Sequence, residues 1–303
     1  MNVLIVIVLF NGSAKLKDNL TRIFSMAGIN SALVMLIDNG SEDNSADIAE
    51  SFLADTAMSI FIRFPENRGV GAAYNRGVEE ARIRGIQWMM ILDQDTETSS
   101  TILLNLMEVA MKVTSLGHRV AGVAPLVVNG FFTEHFYHPY LWNGLSLVSI
   151  DPRYCSGEIV QIDSTITSGT LYNVNALQDV SCFREDYFID FIDHECHIRL
   201  KSRGWQLWCD KNSQIVHYIG NEQRITRHGI WVEHLPFRYF FMVRNMLDGY
   251  FRLSGLKGSV CFLDQMRVHL MLILRYSKRR YQILFHISRG IKAFLLGKWD
   301  NIV

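Results

Sequence analysis

The chain has few prolines, five in 303 residues, and none of its five cysteines forms a Cys-x-x-Cys pair. An odd cysteine count without close pairs argues against a disulfide framework, offers no zinc motif, and favours a reducing compartment. Charge of either sign is not in excess, because 30 Lys and Arg balance 30 Asp and Glu. No global field therefore advertises a nucleic acid, and no such partner is expected. No run of ~18 apolar residues is present, which excludes a helix that spans a membrane. A dinucleotide fingerprint at the first strand is also missing. Gly69-Val70-Gly71 follows the third predicted strand instead, with Tyr74 where a third glycine would stand.

What is present belongs to a globular protein. Hydrophobic content of 49% against 20% charged residues excludes a disordered chain, and 303 residues allow one large domain or two small ones. Val3 to Phe10 is apolar, with no basic flank before it and no small-residue cleavage site after it. This predicts a first β-strand rather than a signal peptide. Leu16, Leu20, Ile23 and Phe24 recur at helical spacing, and Ala32–Ile37 predicts a second strand that stops at Asp38-Asn39-Gly40-Ser41. Ile48, Phe52 and Leu53 mark a helix, Ser59–Phe64 a third strand, Ala72–Arg84 a helix, and Trp88–Leu92 a fourth strand. Strands and helices that alternate with short connections predict βαβ units and a mostly parallel sheet.

Ligands of such sheets bind beyond the carboxyl ends of the strands. Asp38, Asn67-Arg68-Gly69 and Asp93-Gln94-Asp95 all fall there. Asp93 and Asp95 point the same way if the strand continues, and two converging carboxylates suit a hard divalent cation with substrate phosphates in its shell. The alternative is a polar turn that caps the helix starting near Ser99. Asn67 to Gly71 is either a phosphate-approaching turn, with Arg68 adding charge, or an ordinary glycine-rich connection.

Further along, Ala121–Pro125 and Gln206–Cys209 predict short strands, and the aromatic stretch from Val127 to Tyr154 a substrate-shaping loop or a hairpin covering the sheet. Ser168-Gly169-Thr170 lies between two β-like runs, where glycine permits close approach of a ligand. Asp193 and Glu195 open a helix, as dipole-favoured caps or as a general base. His194 and His197 are three residues apart, but no further ligand pattern supports zinc. His217 follows a strand and is structural or a ligand.

The opening strand to Asn11, Asp38-Asn39-Gly40-Ser41, Asn67 through Gly77, Leu92-Asp93-Gln94-Asp95-Thr96, Phe188 through Arg199, and His217 together resemble the family 2 glycosyltransferases of GT-A fold. The Asp-Gln-Asp form followed by threonine resembles their bacterial rhamnosyltransferase branch. The resemblance covers roughly residues 1–220. It implies that Asp193 is the catalytic base and that Asp95 and His217 hold Mg²⁺ or Mn²⁺ at the donor diphosphate. It further implies that Asn11, Asp38, Asn67, Arg68, Gly69 and Asp93 serve the nucleotide-sugar donor, with Gly169, Thr170 and Glu195 on the acceptor side. One departure is Ile192, where many relatives carry Glu; an apolar neighbour would desolvate Asp193 if its side chain points inward. The implied donor is dTDP-rhamnose, or else another nucleotide sugar. The implied acceptor is a saccharide on a polyprenyl diphosphate, in O-antigen or related surface polysaccharide assembly. A binding protein that has lost catalysis is the competing class.

The expected organisation is a nucleotide-sugar half over 1–125, an acceptor and base half of the same domain over 126–225, and a C-terminal region over 226–303. That last region has an aromatic stretch near Arg244-Asn245. Beyond Gly258 it is helical, with cations from Arg267 to Lys298 opposed by Asp300 alone. A basic amphipathic helix reads as a membrane-surface element, here on the cytoplasmic face of a bacterial membrane. The alternative is a helical pair packed on the catalytic domain or in a homo-oligomer contact.

Overall fold

The computed structural model describes residues 2–53, 59–220, 222–227 and 229–299, so Asp300 lies outside the described residues. The N-terminal part is the expected alternation: β1 (Val3–Leu9), α1 (Ser13–Asn30), β2 (Leu33–Asp38), α2 (Ser45–Leu53), β3 (Ser59–Arg63), α3 (Val70–Ile83) and β4 (Trp88–Asp93). After β4 come β5 (Glu97–Thr98), α4 (Ile102–Ser115), β6 (Val120–Asn129), β7 (Phe136–Tyr137) and a hairpin of β8 (Tyr140–Trp142) with β9 (Leu147–Ser149). The chain continues through β10 (Ile159–Ile162), β11 (Leu171–Asn173), α5 (Val174–Asp179), α6 (Ile192–Ser202) and β12 (Gln206–His217). It closes with a hairpin of β13 (Glu222–Thr226) and β14 (Gly229–Glu233), then α7 (Arg238–Tyr276) and α8 (Arg280–Leu295).

The central sheet runs β10-β12-β6-β11-β4-β1-β2-β3, with β5 on β12 and β7 on β6. Strands β3, β2, β1 and β4 are parallel, β12 is parallel to β6, and β11 and β10 run against their neighbours. This is a mostly parallel α/β sheet of GT-A type, with added C-terminal helices. All seven residues of β1 are buried. Their alternation feeds two apolar layers. Leu4 and Val6 pack with Tyr74, Val78 and Leu177 on one face, and Ile5 and Ile7 with Leu20, Ile23 and Leu106 on the other. Each such side chain contributes about 1.5–3 kcal/mol by leaving water. A strand covered on both faces needs no polar positions, which is why β1 and β4 read as uninterrupted apolar runs.

Three elements differ from expectation. β6 has ten residues rather than five, because its apolar run continues past Pro125 to Asn129. β12 has twelve residues rather than four, because Asp210, Lys211, Asn212 and Ser213 interrupt its apolar pattern. Its register slips between Asp210 and Gln214, where the Asp210 carboxylate accepts from Asn212 N and Ser213 Oγ. A β-bulge with its own polar network hides a strand from any reading by periodicity. The C-terminal helix starts at Arg238 and is kinked at Gly255, rather than beginning beyond Gly258. Its first half is deeply buried, Arg244 and Asn245 completely so.

Candidate functional site

The parallel strands end on one edge, and the chain after β4 turns there. Thr96 N donates to Asp93 O, and Glu97 and Thr98 pair with Val216 and Ile215 near the end of β12. That pairing brings the aspartates against His217. His217 Nε2 lies 3.3 Å from Asp93 Oδ2, and Nδ1 lies 3.4 Å from Asp95 Oδ1. Ligand atoms of the three residues all lie within 4.8 Å of one another. Ser168 Oγ accepts from Asp93 N and shares a hydrogen bond with Thr96 Oγ1, which also reaches His217 Nδ1 at 3.3 Å. Gln94 ties the turn to the end of β1, accepting from Phe10 N and donating to Phe10 O at 3.0 Å each. Two carboxylates and one imidazole suit a divalent ion such as Mn²⁺ or Mg²⁺.

These residues line a cleft of about 580 Å³ that also contains Asn39, Asn67, Gly69, Asp190, Asp193 and Arg238. The loops after β2 and β3 are mutually braced. Asn39 Oδ1 accepts from Arg68 N, and Asn39 Nδ2 donates to Asn67 Oδ1. Gly69 has φ 82°, and a Cβ there would lie 2.5 Å from Phe188 O. Its glycine is required by backbone packing as much as by any ligand.

Several candidates stand outside the cleft lining. Asp38 is fully buried; its carboxylate accepts from Ser41 N and pairs with Arg63 at 3.7 Å. Asn11 accepts from Glu42 N, bracing the same rim. Arg68 extends toward Glu185, 3.9 Å away. Gly169, at φ 82°, turns the chain against Ile215, and the Thr170 hydroxyl donates to Ile166 O. Thr167 and Ser168 face the cleft in their place. Glu195 is buried and binds Arg199 through both carboxylate oxygens, so its charge is spent within α6. Polar residues at a rim satisfy backbone and ion-pair needs first, and spacing cannot show which way they turn.

Asp193, in the first turn of α6, does reach the cleft. Its side chain is 21% exposed and its Oδ1 accepts from His194 N. Ile192 is buried beside it, yet the carboxylate keeps contact with solvent. His194 and His197 both use Nδ1 on Ser164 Oγ, and His197 Nε2 meets Tyr172 Oη at 2.7 Å. Burial, and then the neighbouring His194, push His197 down to about 3. Among the described residues it is a neutral core histidine, in no three-ligand group.

The approach to Asp193 is unusual backbone. Phe188, Asp190 and Phe191 have φ of 64°, 67° and 66°. Bulky residues at positive φ persist only where their surroundings over-determine them. Here Asn245 Nδ2 donates to Tyr187 O, Ile189 O and Asp190 O at 2.8–2.9 Å, and Arg244 Nη2 donates to Asp186 O at 2.8 Å. Arg244 Nε in turn donates to Asn245 Oδ1. The Arg-Asn pair, which carried no role in the sequence, clamps the segment that presents Asp193.

Enclosure in the cleft raises the Asp93 carboxyl above its usual range; His217 opposes the rise, and Asp95 and Asp193 add to it. Enclosure also disfavours the His217 imidazolium, but hydrogen bonding to Asp95 and the charges of Asp93 and Asp95 outweigh it and hold the ring above its ordinary value. A metal must displace that proton. Mn²⁺ affinity is therefore expected to rise with pH as the ring gives up its proton, over a range displaced above that of an ordinary histidine, with proton release. Calorimetry in buffers of different ionisation enthalpy measures both, and pH-independent binding would remove His217 from the ligand set.

Residues 4–139 match the family model described as Glycosyl transferase family 2. A Shigella flexneri protein, dTDP-rhamnosyl transferase RfbF, is 24% identical over 246 residues, covering 80% of this chain and 78% of its own. Among solved structures, S. aureus TarS 1-349 in complex with UDP-GlcNAc superposes with a TM-score of 0.61 at 12% identity, covering 97% of this chain and 82% of that one. GalNAc-T7 with UDP, GalNAc and Mn²⁺ gives 0.56 at 16% identity, over 72% of this chain and 44% of that one. At these identities the two structures speak to fold alone.

Proposed function

We propose that the chain is a family 2 glycosyltransferase, and more narrowly an inverting rhamnosyltransferase using a dTDP-linked donor. One observation carries the reading. Asp193 lines the same cleft as Asp93, Asp95 and His217, close enough for its charge to raise the Asp93 carboxyl. A base and a diphosphate site in one cleft are what a single displacement at an anomeric carbon requires. Asp193 takes the proton of an acceptor hydroxyl, the hydroxyl oxygen bonds to the anomeric carbon, and the bond to the diphosphate breaks on the far side. Attack opposite the leaving group inverts configuration. Asp95 and His217, with Asp93, would hold the divalent ion, which supplies charge neutralisation for the departing diphosphate. Ser168 and Thr96 fix these ligands through the hydrogen bonds described above.

The rhamnosyl assignment rests on the Asp93-Gln94-Asp95-Thr96 form and on the Shigella relative. Another nucleotide sugar in the same site is the alternative. Purified protein is expected to transfer from dTDP-rhamnose in Mn²⁺ or Mg²⁺ and to lose activity in EDTA. Equal stabilisation by dTDP-rhamnose and UDP-sugars in a thermal-shift screen would defeat the donor assignment, and activity that survives EDTA would defeat the metal.

A lipid-linked saccharide acceptor would place the enzyme at a membrane surface, peripherally, since no described helix is long and apolar enough to cross one. Helix α8 buries Ile283 and Ile287 against the rest of the protein, while Leu263 and Leu274 of α7 and Phe285 and Leu295 of α8 stay exposed. Leu263, Met271 and Leu274 share a shallow groove with Arg267 and Arg275. Apolar side chains flanked by cations suit an anionic headgroup layer, at ~1 kcal/mol per cation. Arg267→Glu with Arg275→Glu should abolish sedimentation with phosphatidylserine vesicles. Undiminished sedimentation of that variant would assign the face elsewhere. Truncation is the poorer test, because Phe262, Ile273, Ile283 and Ile287 all belong to the core.

A further inference from the structure

The cleft is short of positive charge for the ligand proposed above. Four carboxylates line it, Asp93, Asp95, Asp190 and Asp193, and among the described lining residues Arg238 is the one permanent cation. That cation is already engaged. Arg238, the first residue of α7, grips Asp190 in a two-point fork, Nη2 to Oδ1 at 2.5 Å and Nε to Oδ2 at 3.2 Å. The pair is only partly covered, the side chains being 26% and 13% exposed. Arg238 is also near enough to Asp93 to oppose the rise of that carboxyl. The arrangement is not a relaxed surface ion pair. Asp190 sits at φ 67°, with its carbonyl held by Asn245, so the fold keeps this carboxylate in a disfavoured conformation to meet the guanidinium.

We propose that Arg238 is a diphosphate-binding residue that Asp190 holds in place while the cleft is empty, and that a nucleoside diphosphate takes over its fork on binding. A guanidinium presents the same pair of parallel donors to a carboxylate and to a phosphate, so the exchange preserves its geometry. The ligand brings more negative charge than Asp190 does, and Asp190 lies near enough to solvent to be hydrated when released. In the empty cleft the pair keeps an unpaired arginine from collapsing onto Asp93 or Asp193. The inference rests on the donor reading above, and binding rather than turnover separates the two.

Binding of dTDP and UDP in Mn²⁺ is measured by calorimetry, with thymidine as a control that lacks phosphate. If the wild type binds neither diphosphate, the donor reading itself fails. Given wild-type binding, Arg238→Gln should weaken the diphosphate about ten-fold or more and leave thymidine unchanged. Arg238→Lys should recover part of the loss. Asp190→Asn is nearly isosteric and tolerates positive φ. It should bind the diphosphate several-fold more tightly, and the gain should vanish in the double variant with Arg238→Gln. Wild-type affinity in Arg238→Gln, equal or weaker binding in Asp190→Asn, or a gain that survives in the double variant would overturn the proposal. If circular dichroism shows Arg238→Gln to be unfolded, Asp190→Asn alone decides.

Discussion

Asp193→Asn is expected to fold like the parent and bind donor and metal normally, yet to lose transfer by about two to four orders of magnitude. The amide keeps the size of the side chain and can still accept from His194 N through its oxygen, so the first turn of α6 need not move. What disappears is the ability to accept the acceptor's proton as the new bond forms. Removing one negative charge from a cleft that also holds Asp93 should, if anything, ease binding of an anionic donor. The expected signature is therefore a fall in kcat with donor affinity unchanged or slightly improved. Turnover near that of the wild type would take Asp193 out of the base role.

The second large effect is expected outside the cleft lining, at Asn245→Asp. Its amide nitrogen faces the carbonyl oxygens of Tyr187, Ile189 and Asp190 from a site with no solvent contact. Aspartate keeps the acceptor for Arg244 Nε and turns the donor end into a second acceptor aimed at three others. Each buried carbonyl left without a partner costs ~1–3 kcal/mol, so a loss on the order of 3 kcal/mol or more is expected. The melting temperature should fall by about 5 °C or more. The segment with φ of 64–67° at Phe188, Asp190 and Phe191 would then relax, and Asp193 follows directly after it. A lower kcat per folded molecule is expected on top of the lower stability. A variant with the parent's melting temperature and kcat would show that the clamp holds nothing of consequence.

Both residues bear on how far the chain could be read from its sequence. That Asp193 would reach the cleft was legible because an acidic residue at a helix start belongs to a run, Phe188 through Arg199, that resembles a family motif. Asn245 was not, because its partners lie 55 to 58 residues earlier and are backbone carbonyls, which carry no side-chain identity to recognise. The Asp190–Arg238 pair was hidden in the same way, by a sequence separation of 48. Asp38, Glu195 and Thr170 illustrate the opposite limit. Each has the right type of side chain near the right edge, but Ser41 N, Arg199 and Ile166 O occupy them.

The sequence by itself determined the mostly parallel α/β sheet and the edge at which its polar clusters, Asp93-Gln94-Asp95 among them, collect. Apolar runs that end in polar clusters are local patterns, and the crossover rules for βαβ units leave few ways to arrange them. Only the tertiary structure decided that His217 closes on both aspartates and that α7 braces the segment leading to Asp193. Those contacts depend on the long β12 beyond its bulge and on a helix from the far end of the chain, and such distances leave no periodicity to read.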